Sequence, residues 1–303
     1  MGASHPDHPG AWADRRRPVP GGDPRLPSID KVKVMTKTWF ITGASRGFGR
    51  LWAEAALKRG DRVAATVRDP QVLAEMKERA DDRLLPLALD VTDRAAVVAA
   101  VDRAHEHFGT LDVVVNNAGY GLFGAAEDIT EERARKQVDT NVFGTLWVTQ
   151  AVLPHLRAAG AGHIINVSSI AGIVAWPLLS IYHASKFAVE GLSEALAQEV
   201  AAFGIKVTIV EPAAYATDWS GSSSIRAMPS PAYQDLTARR TAISAAAPQA
   251  DPAATAQVIM ELVDTAEPPL RLFLGGAALS MAQATYAERL AEWEKWNHLS
   301  ALA

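Results

Sequence analysis

The stretch Thr42-Gly43-Ala44-Ser45-Arg46-Gly47-Phe48-Gly49 decides the fold of this chain. It follows the apolar run 39–42 and leads directly into an amphipathic segment, 50–59. Glycines in such a turn permit positive φ angles and a close backbone approach, and the free amides at the start of a helix can bind a pyrophosphate. A tight turn alone would also need glycine, but the position between a strand and a helix favours a dinucleotide site.

The rest of the chain repeats this alternation of short apolar runs and amphipathic segments. Because parallel neighbouring strands need long right-handed connections, the alternation predicts a doubly wound, Rossmann-like α/β fold: a seven-stranded parallel sheet flanked by helices in a single domain, 35–303. The further strands are predicted at 62–67, 84–89, 111–116, 163–168, 205–210 and 270–274, and the further helices at 70–80, 93–108, 131–159, 182–203 and 252–264.

Three segments depart from the alternation. Residues 1–34 are rich in Pro, Gly, Asp and Arg, and we expect a disordered N-terminal extension, with Met35 an alternative start of the protein. The Ala-, Ser- and Pro-rich stretch 213–250 predicts an inserted lid or substrate loop. Near the C-terminus, 279–296 predicts a helix whose Trp293 and Trp296 pack on the core or on a second subunit.

Composition narrows the classes of partner. The net charge of −4 provides no basic excess for binding nucleic acid, and the sequence lacks an apolar run long enough to span a membrane. The absence of cysteine excludes disulfides and thiolate metal sites, and we expect no metal. A cytoplasmic location fits these features.

Charged residues near the glycine loop indicate the cofactor. Where an NAD site would place an acid after the second strand, this chain has Arg68, and Arg46 in the loop can converge on the same point. Two arginines favour the 2′-phosphate of NADP(H), while the neighbouring Asp69 keeps NAD(H) use open. Cofactor contacts are also expected from the ends of the third and fourth strands, at Asp90, Val91, Asn117, Ala118 and Gly119.

A phenol and an ammonium stand four residues apart in Tyr182-His183-Ala184-Ser185-Lys186. On a helix this spacing places both side chains on one face, where the positive charge of Lys186 can lower the pKa of Tyr182. Ser169 ends the fifth strand, so it should lie at the same edge of the sheet as Tyr182.

In these motifs the sequence resembles the short-chain dehydrogenase/reductase family, in its form with a Thr-Gly-x3-Gly-x-Gly loop and a Tyr-x3-Lys pair. The resemblance covers residue 36 to about residue 274 and implies the strand order 3-2-1-4-5-6-7. It implies that Tyr182 is the acid/base, that Ser169 holds the substrate oxygen, that Lys186 lowers the phenol pKa and binds the nicotinamide ribose, and that Asn141 holds a water linking Lys186 to solvent. It also implies cofactor contacts from Pro212 and Thr217.

One position departs from the family pattern. After the sixth strand the family commonly has Pro-Gly, whereas this chain has Pro212-Ala213. Ala213 can take the place of glycine only if its φ angle stays negative, so the sequence does not determine the path of the loop at this point.

Apolar residues after the fifth and sixth strands predict the substrate class. Trp176, Leu178, Leu179, Tyr215 and Trp219 would form a wall that favours a hydrophobic ketone, aldehyde or secondary alcohol. The leading hypothesis is thus an NADP(H)-dependent carbonyl reductase or alcohol dehydrogenase. Two alternatives stay open, a cofactor-binding regulator or scaffold without turnover and an epimerase or dehydratase of the related extended family. The resemblance also implies a homodimer or homotetramer.

Overall fold

The computed structural model describes residues 36–217, 219, 221 and 224–302. The extension predicted at 1–34 lies outside the described residues, so that prediction stands as it was made.

Seven parallel strands form the central sheet, and the predicted fold class is confirmed. Their order is β3-β2-β1-β4-β6-β7-β9, which is the expected order 3-2-1-4-5-6-7 when the seven strands of this sheet are counted along the chain. The strands are β1 Thr38–Thr42, β2 Arg62–Val67, β3 Leu84–Ala88, β4 Val113–Asn116, β6 Gly162–Val167, β7 Ile205–Pro212 and β9 Arg271–Leu274. Two further strands, β5 Leu122–Phe123 and β8 Ile225–Arg226, pair in parallel as a small separate sheet.

The helices connect the strands and cover both faces of the sheet. Capping explains several boundaries: α3 begins after Asp93, whose side chain accepts a hydrogen bond from the amide of Ala96, and α1 ends at Gly60 in the left-handed conformation. The helices are α1 Gly47–Arg59, α2 Ala74–Ala80, α3 Arg94–Phe108, α4 Glu131–Val138, α5 Gly144–Ala159, α6 Ser180–Val200, α7 Gln234–Ala246, α8 Ala254–Asp264 and α9 Ala278–Ser300.

The hydrophobic core is divided into two layers by the sheet. Successive side chains of a strand point to opposite faces, so in β1 Trp39 and Ile41 pack with α1 and α8 residues while Phe40 packs with α3 and α5 residues. The strands are therefore apolar on both faces, as expected for a parallel sheet covered by helices. This burial fixes the carboxyl edge of the sheet, where the polar motifs of the sequence meet.

The inserted segment contains two regular elements that the sequence did not predict, whereas the C-terminal helix was predicted but buries few of its residues. Within 213–250 the chain forms β8 and α7, and neither was predicted as a regular element. The C-terminal helix α9 buries only Ala278 and Ala282, whereas Trp293 is 60% exposed and Trp296 49% exposed. These two tryptophans therefore do not pack on the core of the same chain, and their packing on a second subunit, the other alternative, stays a prediction. Among the helices described, none has the length and apolar character needed to cross a membrane.

Candidate active site

The glycine loop between β1 and α1 is shaped by two close backbone approaches. Gly43 has φ +67°, and a Cβ added there would lie 2.9 Å from the Cα of Ala118. At Gly49 a Cβ would lie 2.5 Å from Asn117 Nδ2 and 2.6 Å from the Gly43 carbonyl oxygen. Gly47 has φ +58° and faces open space. The loop therefore needs glycine at all three positions. Gly43 and Gly49 are required by close packing, and Gly47 is required by its positive φ angle.

The Asn-Asn-Ala-Gly motif after β4 holds this loop in place. Asn117 Nδ2 donates to the carbonyl oxygens of Thr42 at 2.9 Å and Gly43 at 3.0 Å. The backbone amides of Asn117 and Ala118 both donate to Thr42 Oγ1 at 3.0 Å. The Nδ2 group of Asn117 is thus used to hold the loop, while Asn117, Ala118 and Gly119 also border the cleft described next.

A cleft of about 650 Å³ runs along the carboxyl edge of the sheet. Of the residues proposed as cofactor contacts from the sequence, Gly49 alone lies behind the cleft rather than in its wall. The proposed contacts and catalytic residues that line it are Gly43, Ser45, Arg46, Gly47, Phe48, Arg68, Asp90, Val91, Asn117, Ala118, Gly119, Ser169, Tyr182, Lys186, Pro212 and Thr217.

One end of the cleft is lined by exposed charged side chains. Arg46 and Arg68 both border it, and Asp69, which is exposed, does not. Asp69 Oδ1 instead accepts a hydrogen bond from the amide of Gln71 at 3.0 Å. Burial raises the pKa of Asp90, but hydrogen bonds from Thr92 and the charge of Arg68 outweigh it and leave the pKa below its usual range. After β2, the charged side chain that borders the cleft is thus the cation Arg68, joined by Arg46 from the glycine loop, and not the anion Asp69.

At the other end, Tyr182 lies buried at the start of α6 with 4% of its surface exposed. Burial raises the pKa of its phenol, and a hydrogen bond with the Ser169 side chain acts in the opposite direction. Ser169 Oγ also accepts from the amide of Ala171 at 3.1 Å and donates to the carbonyl oxygen of Pro212 at 3.4 Å. The two hydroxyls that the sequence proposed as partners are thus close enough for Ser169 to act on the pKa of Tyr182.

Lys186 lies one turn after Tyr182 with 7% of its surface exposed. Its Nζ donates to the carbonyl oxygen of Val167, the last residue of β6, at 2.8 Å, and lies 5.8 Å from the centre of the Tyr182 ring. Burial lowers the pKa of Lys186 to about 8, against the charge of Glu190, which raises it. The ammonium is therefore the positive charge next to the phenol.

Asn141 does not line the cleft but lies behind it in a π-helical turn, Asp139–Phe143, between α4 and α5. Its side chain accepts from the amide of Tyr120 at 3.2 Å and donates to Ser185 Oγ at 3.1 Å. The wider turn directs this buried amide toward the start of α6. In this structure Asn141 therefore links the segment after β4 to the helix that carries Tyr182 and Lys186.

The loop after β7 follows an extended path at the position where the family commonly has glycine. Ala213 is not in the left-handed region, and its amide donates to the carbonyl oxygen of Leu274 at 2.9 Å. Beyond it, Ala214 and Ala216 each form a backbone hydrogen bond of 3.0 Å with Ala250. Alanine is accommodated without strain, so the question that the sequence left open at this position is answered.

The residues proposed as a substrate wall divide into two groups. Tyr215 and Trp219 line the cleft, and the Trp219 ring centre lies 5.0 Å from that of Tyr182. Trp176, Leu178 and Leu179 are not among the lining residues. Leu179 is buried in a cluster with Ala171 and Tyr182, and Trp176 packs beside that cluster and contacts His183. Leu178 has φ +69°, a conformation that is strained for leucine, and lies four residues before Tyr182.

Sequence reasoning missed several parts of the wall. Tyr120 directly follows the Asn-Asn-Ala-Gly motif, so its place at the cleft could have been read from that motif. The contribution of α4 and of the α7 region had no comparable signal, because those residues reach the cleft only through the tertiary fold. The missed lining residues include Tyr120, Lys136, Asp139, Thr140, Ser224, Ile225, Ser244, Ala247 and Gln249. No group of three or more potential metal ligands occurs among the described residues.

Comparisons with known proteins agree with this arrangement. The sequence profile of the short chain dehydrogenase family matches residues 37–227. Oxidoreductase BOA17 of Botryotinia fuckeliana is 44% identical over 270 residues, which cover 88% of this chain and 98% of that protein. The chain therefore belongs to the short-chain dehydrogenase/reductase family, and it is similar to proteins named as oxidoreductases.

Solved structures show the same fold. A short-chain dehydrogenase from Streptomyces avermitilis superposes with a TM-score of 0.83 at 38% identity, covering 88% of this chain and 98% of that chain. A short-chain dehydrogenase from Burkholderia cenocepacia in complex with NADP superposes with a TM-score of 0.69 at 27% identity, covering 86% and 97%.

Proposed function

We propose that this protein is an NADP(H)-dependent oxidoreductase that interconverts a hydrophobic ketone or aldehyde and the corresponding alcohol. The observation that carries the proposal is the contact of Tyr182 with Ser169 and Lys186 at one end of the cleft whose other end is the glycine loop. Relatives named as oxidoreductases, and related structures in complex with NADP or with NADH, support a nicotinamide cofactor, while the preference for NADP(H) rests on Arg46 and Arg68.

The residues of the cleft fit a dinucleotide. Helix α1 has no side-chain cap and no acidic residue in its first turn, so its free amides are available to an anion. Open space above Gly47 gives a pyrophosphate room to approach these amides. Arg46 and Arg68 would hold the 2′-phosphate that distinguishes NADP from NAD. Lys186 would bind the nicotinamide ribose, and Pro212 and Thr217 would contact the carboxamide end.

The bound nicotinamide supplies or accepts the hydride, and the side chains of this chain handle the proton and the substrate oxygen. In the reductive direction the hydroxyl of Tyr182 donates its proton to the carbonyl oxygen, while Ser169 Oγ donates a hydrogen bond to the same oxygen. The positive charge of Lys186 favours the tyrosinate that this transfer produces, since burial alone raises the phenol pKa. In the oxidative direction the tyrosinate takes the proton of the alcohol.

An apolar substrate is favoured by the aromatic side chains beside Tyr182. Trp219 lies against Tyr182 on one side and against Phe123 on the other, with ring centres 5.0 and 5.2 Å apart. Tyr215 contacts Phe48 of the glycine loop at 5.2 Å. A wall of this kind binds apolar surface and offers few partners to sugar or phosphate groups.

The test is a screen of the purified protein with NADPH against hydrophobic ketones and aldehydes, with hexoses and sugar phosphates as matched polar substrates. We expect loss of NADPH absorbance with the apolar group and not with the polar group. NADPH binding without turnover of any carbonyl compound would favour the regulator or scaffold alternative. Conversion of a substrate with no net change in cofactor would favour an epimerase or dehydratase.

We also propose that the protein forms a homodimer or homotetramer. Phe143 and Phe187 are 41% and 38% exposed, and a shallow apolar depression between α4 and α6 is lined by Val138, Phe143 and Ile181. Contact with a second copy would bury this surface. Sedimentation at micromolar concentration should show an oligomer, and a monomer alone would contradict the proposal. For the cell, we propose a cytoplasmic location, which fluorescence microscopy of a tagged chain can test.

A further inference from the structure

Two buried glutamates lie behind the catalytic end of the cleft and have no part in the proposed mechanism. Glu190 is on α6, one turn after Lys186, and is 6% exposed. Glu211 is on β7, directly before Pro212, and is 0% exposed. Carboxyl groups are rarely buried to this extent unless positive charges and hydrogen-bond donors compensate for the loss of water. The groups that surround the pair therefore decide whether both carboxyls can be ionised.

The charges that face the pair are too few for two carboxylates. Arg271 of β9 lies with Nε 3.3 Å from Glu190 Oε2 and 3.5 Å from Glu211 Oε1, and its other end donates to Glu194 Oε2 at 3.0 Å. On α6 the pair also faces Lys186, whose Nζ is hydrogen-bonded to Val167. Directly after β6, the neutral hydroxyl of Ser168 faces Glu190.

Hydrogen bonding leads to the same conclusion as the charges. None of the four carboxyl oxygens of Glu190 and Glu211 has a hydrogen-bond partner of normal geometry among the described residues. The same is true of Ser168 Oγ. Two ionised carboxylates can only accept, and a buried acceptor without a donor is costly. One added proton converts one carboxyl into a donor toward the other. Burial raises the pKa of both groups, and the charge of Glu190 further raises that of Glu211, to about 8.

The pair borders three segments that carry the catalytic residues. Ser168 adjoins Ser169, Pro212 provides the carbonyl oxygen to which Ser169 Oγ donates, and Lys186 is one helical turn from Glu190. Gly172 closes this region tightly, because a Cβ there would lie 2.8 Å from Ser168 Oγ and 2.9 Å from Glu190 Oε1. A change in the charge of the pair therefore acts on Lys186 across packed protein and not across water.

We propose that Glu190 and Glu211 share one proton at neutral pH, and that the single negative charge of the pair is a positioning element that keeps Lys186 protonated. The effect on turnover rests on the proposed function, since it passes through Lys186 and Tyr182. The shared proton itself does not depend on it. In the pair the two carboxyls titrate as one unit, whose second ionisation falls at a pH well above that of an ordinary glutamate.

The shared proton can be detected directly by infrared difference spectroscopy of the full-length wild-type protein between pH 6.5 and pH 9.5. We expect a carboxylic acid C=O stretch at the lower pH that shifts in D₂O and disappears at the higher pH. The band should be absent in Glu211→Gln, where the remaining carboxyl pairs with Arg271 as an ordinary carboxylate. Absence of such a band in folded wild-type protein would overturn the proposal, whether or not the protein turns over a ketone.

The positioning role is tested by the pH profile of kcat/KM for ketone reduction in Glu190→Gln, with Glu194→Gln as the matched control. Both variants remove an interaction with Arg271, but only Glu190 is buried beside Lys186. Glu190→Gln should move the alkaline limb of the profile down by about one pH unit, because Lys186 loses the nearer negative charge. In Glu194→Gln the limb should stay in place. Equal limbs in the two folded variants would overturn the positioning role.

If no ketone is reduced by the wild-type protein, the pH dependence of NADPH binding replaces the kinetic profile. The pH above which NADPH binding weakens should then be about one unit lower in Glu190→Gln than in wild type, because Lys186 would contact the nicotinamide ribose. If the infrared band is present but no ketone is reduced, the result supports the shared proton and contradicts only the proposed function. Thermal unfolding at pH 7 verifies that each variant is folded before it is compared.

Discussion

Lys186 Nζ lies 5.8 Å from the centre of the Tyr182 ring and is fixed there by a 2.8 Å hydrogen bond to the carbonyl oxygen of Val167. Because Val167 ends β6 of the seven-stranded sheet, the sheet fixes the position of the ammonium relative to the phenol. Burial of both side chains strengthens their electrostatic interaction relative to a pair in water. This relationship places a positive charge beside the phenol, where it can offset part of the rise in the pKa of Tyr182 that burial causes.

Replacing Lys186 with methionine should lower kcat/KM for ketone reduction by about 10²- to 10⁴-fold, since the phenol loses the charge that favours its ionised form. Steady-state kinetics with NADPH and the best ketone provides the measurement. Lys58→Met is the matched control, because Lys58 is exposed on α1. Activity within about twofold of wild type in Lys186→Met would contradict the role given to this residue.

Arg46 and Arg68 should determine the choice between NADPH and NADH. Replacing either with alanine should raise the KM for NADPH by about tenfold or more and leave the KM for NADH nearly unchanged, because only NADPH has the 2′-phosphate. The measurement is kcat/KM with each cofactor. Arg79→Ala serves as control, since the Arg79 side chain is 63% exposed and paired with Glu75. A wild-type preference for NADH would contradict the assignment.

Gly49 and Gly191 form a matched pair of helical glycines with opposite surroundings. In Gly49→Ala the new Cβ would meet Asn117 Nδ2 at 2.5 Å and the Gly43 carbonyl oxygen at 2.6 Å, so the free energy of unfolding should fall by about 1–3 kcal/mol. In Gly191→Ala nothing lies within 4 Å of the Cβ, and stability should rise by about 0.5–1 kcal/mol. Denaturant unfolding measures both, and equal effects would contradict the tight packing of the loop.

His163 should make the protein sensitive to acid. It is 6% exposed on β6, and burial, helped by Lys206 and Lys37, lowers its pKa to about 4. Thr208 Oγ1 donates to the carbonyl oxygen of Pro269 at 2.8 Å, so it accepts from His163 Nε2 at 2.9 Å, and the neutral ring satisfies this bond. Since the folded-state pKa lies below the unfolded value, stability is present above pH 6.5 and is lost as the pH falls toward 4.

The contribution of His163 over that window should be about 3 kcal/mol. Denaturant unfolding between pH 4.5 and pH 7 should show a shallower pH dependence in His163→Gln than in wild type. His107→Gln, which changes an exposed histidine on α3, should retain the wild-type slope. Identical slopes in His163→Gln and wild type would mean that this histidine takes up its proton in the folded protein at its ordinary pKa.

The central sheet could be predicted from the sequence because its strands are buried on both faces and read as apolar runs. The glycine loop, Ser169, Tyr182 and Lys186 could be placed together because all follow strands that end at one edge. Helix α7 could not, since its residues are mostly exposed and leave no apolar pattern. Trp176 was assigned to the cleft wall because it follows β6, yet its ring packs beside Tyr182 and His183 instead. The direction of a loop side chain depends on tertiary packing.

The pairing of the two buried glutamates also could not be predicted from the sequence. Glu190 and Glu211 are 21 positions apart in the sequence by their numbering, in a helix and a strand that read as ordinary elements. A charged residue in an apolar strand is a signal of an unusual environment, but its partner is identified only when β7, β9 and α6 are packed together.

The most direct test of the account is the rate of NADPH-dependent ketone reduction by Tyr182→Phe, measured together with NADPH binding. Phenylalanine keeps the buried ring and its contact with Trp219 but has no proton to donate. We predict that kcat falls by about 10²-fold or more while the dissociation constant for NADPH stays within about twofold of wild type. Undiminished ketone reduction by Tyr182→Phe would contradict the assignment of Tyr182 as the acid/base.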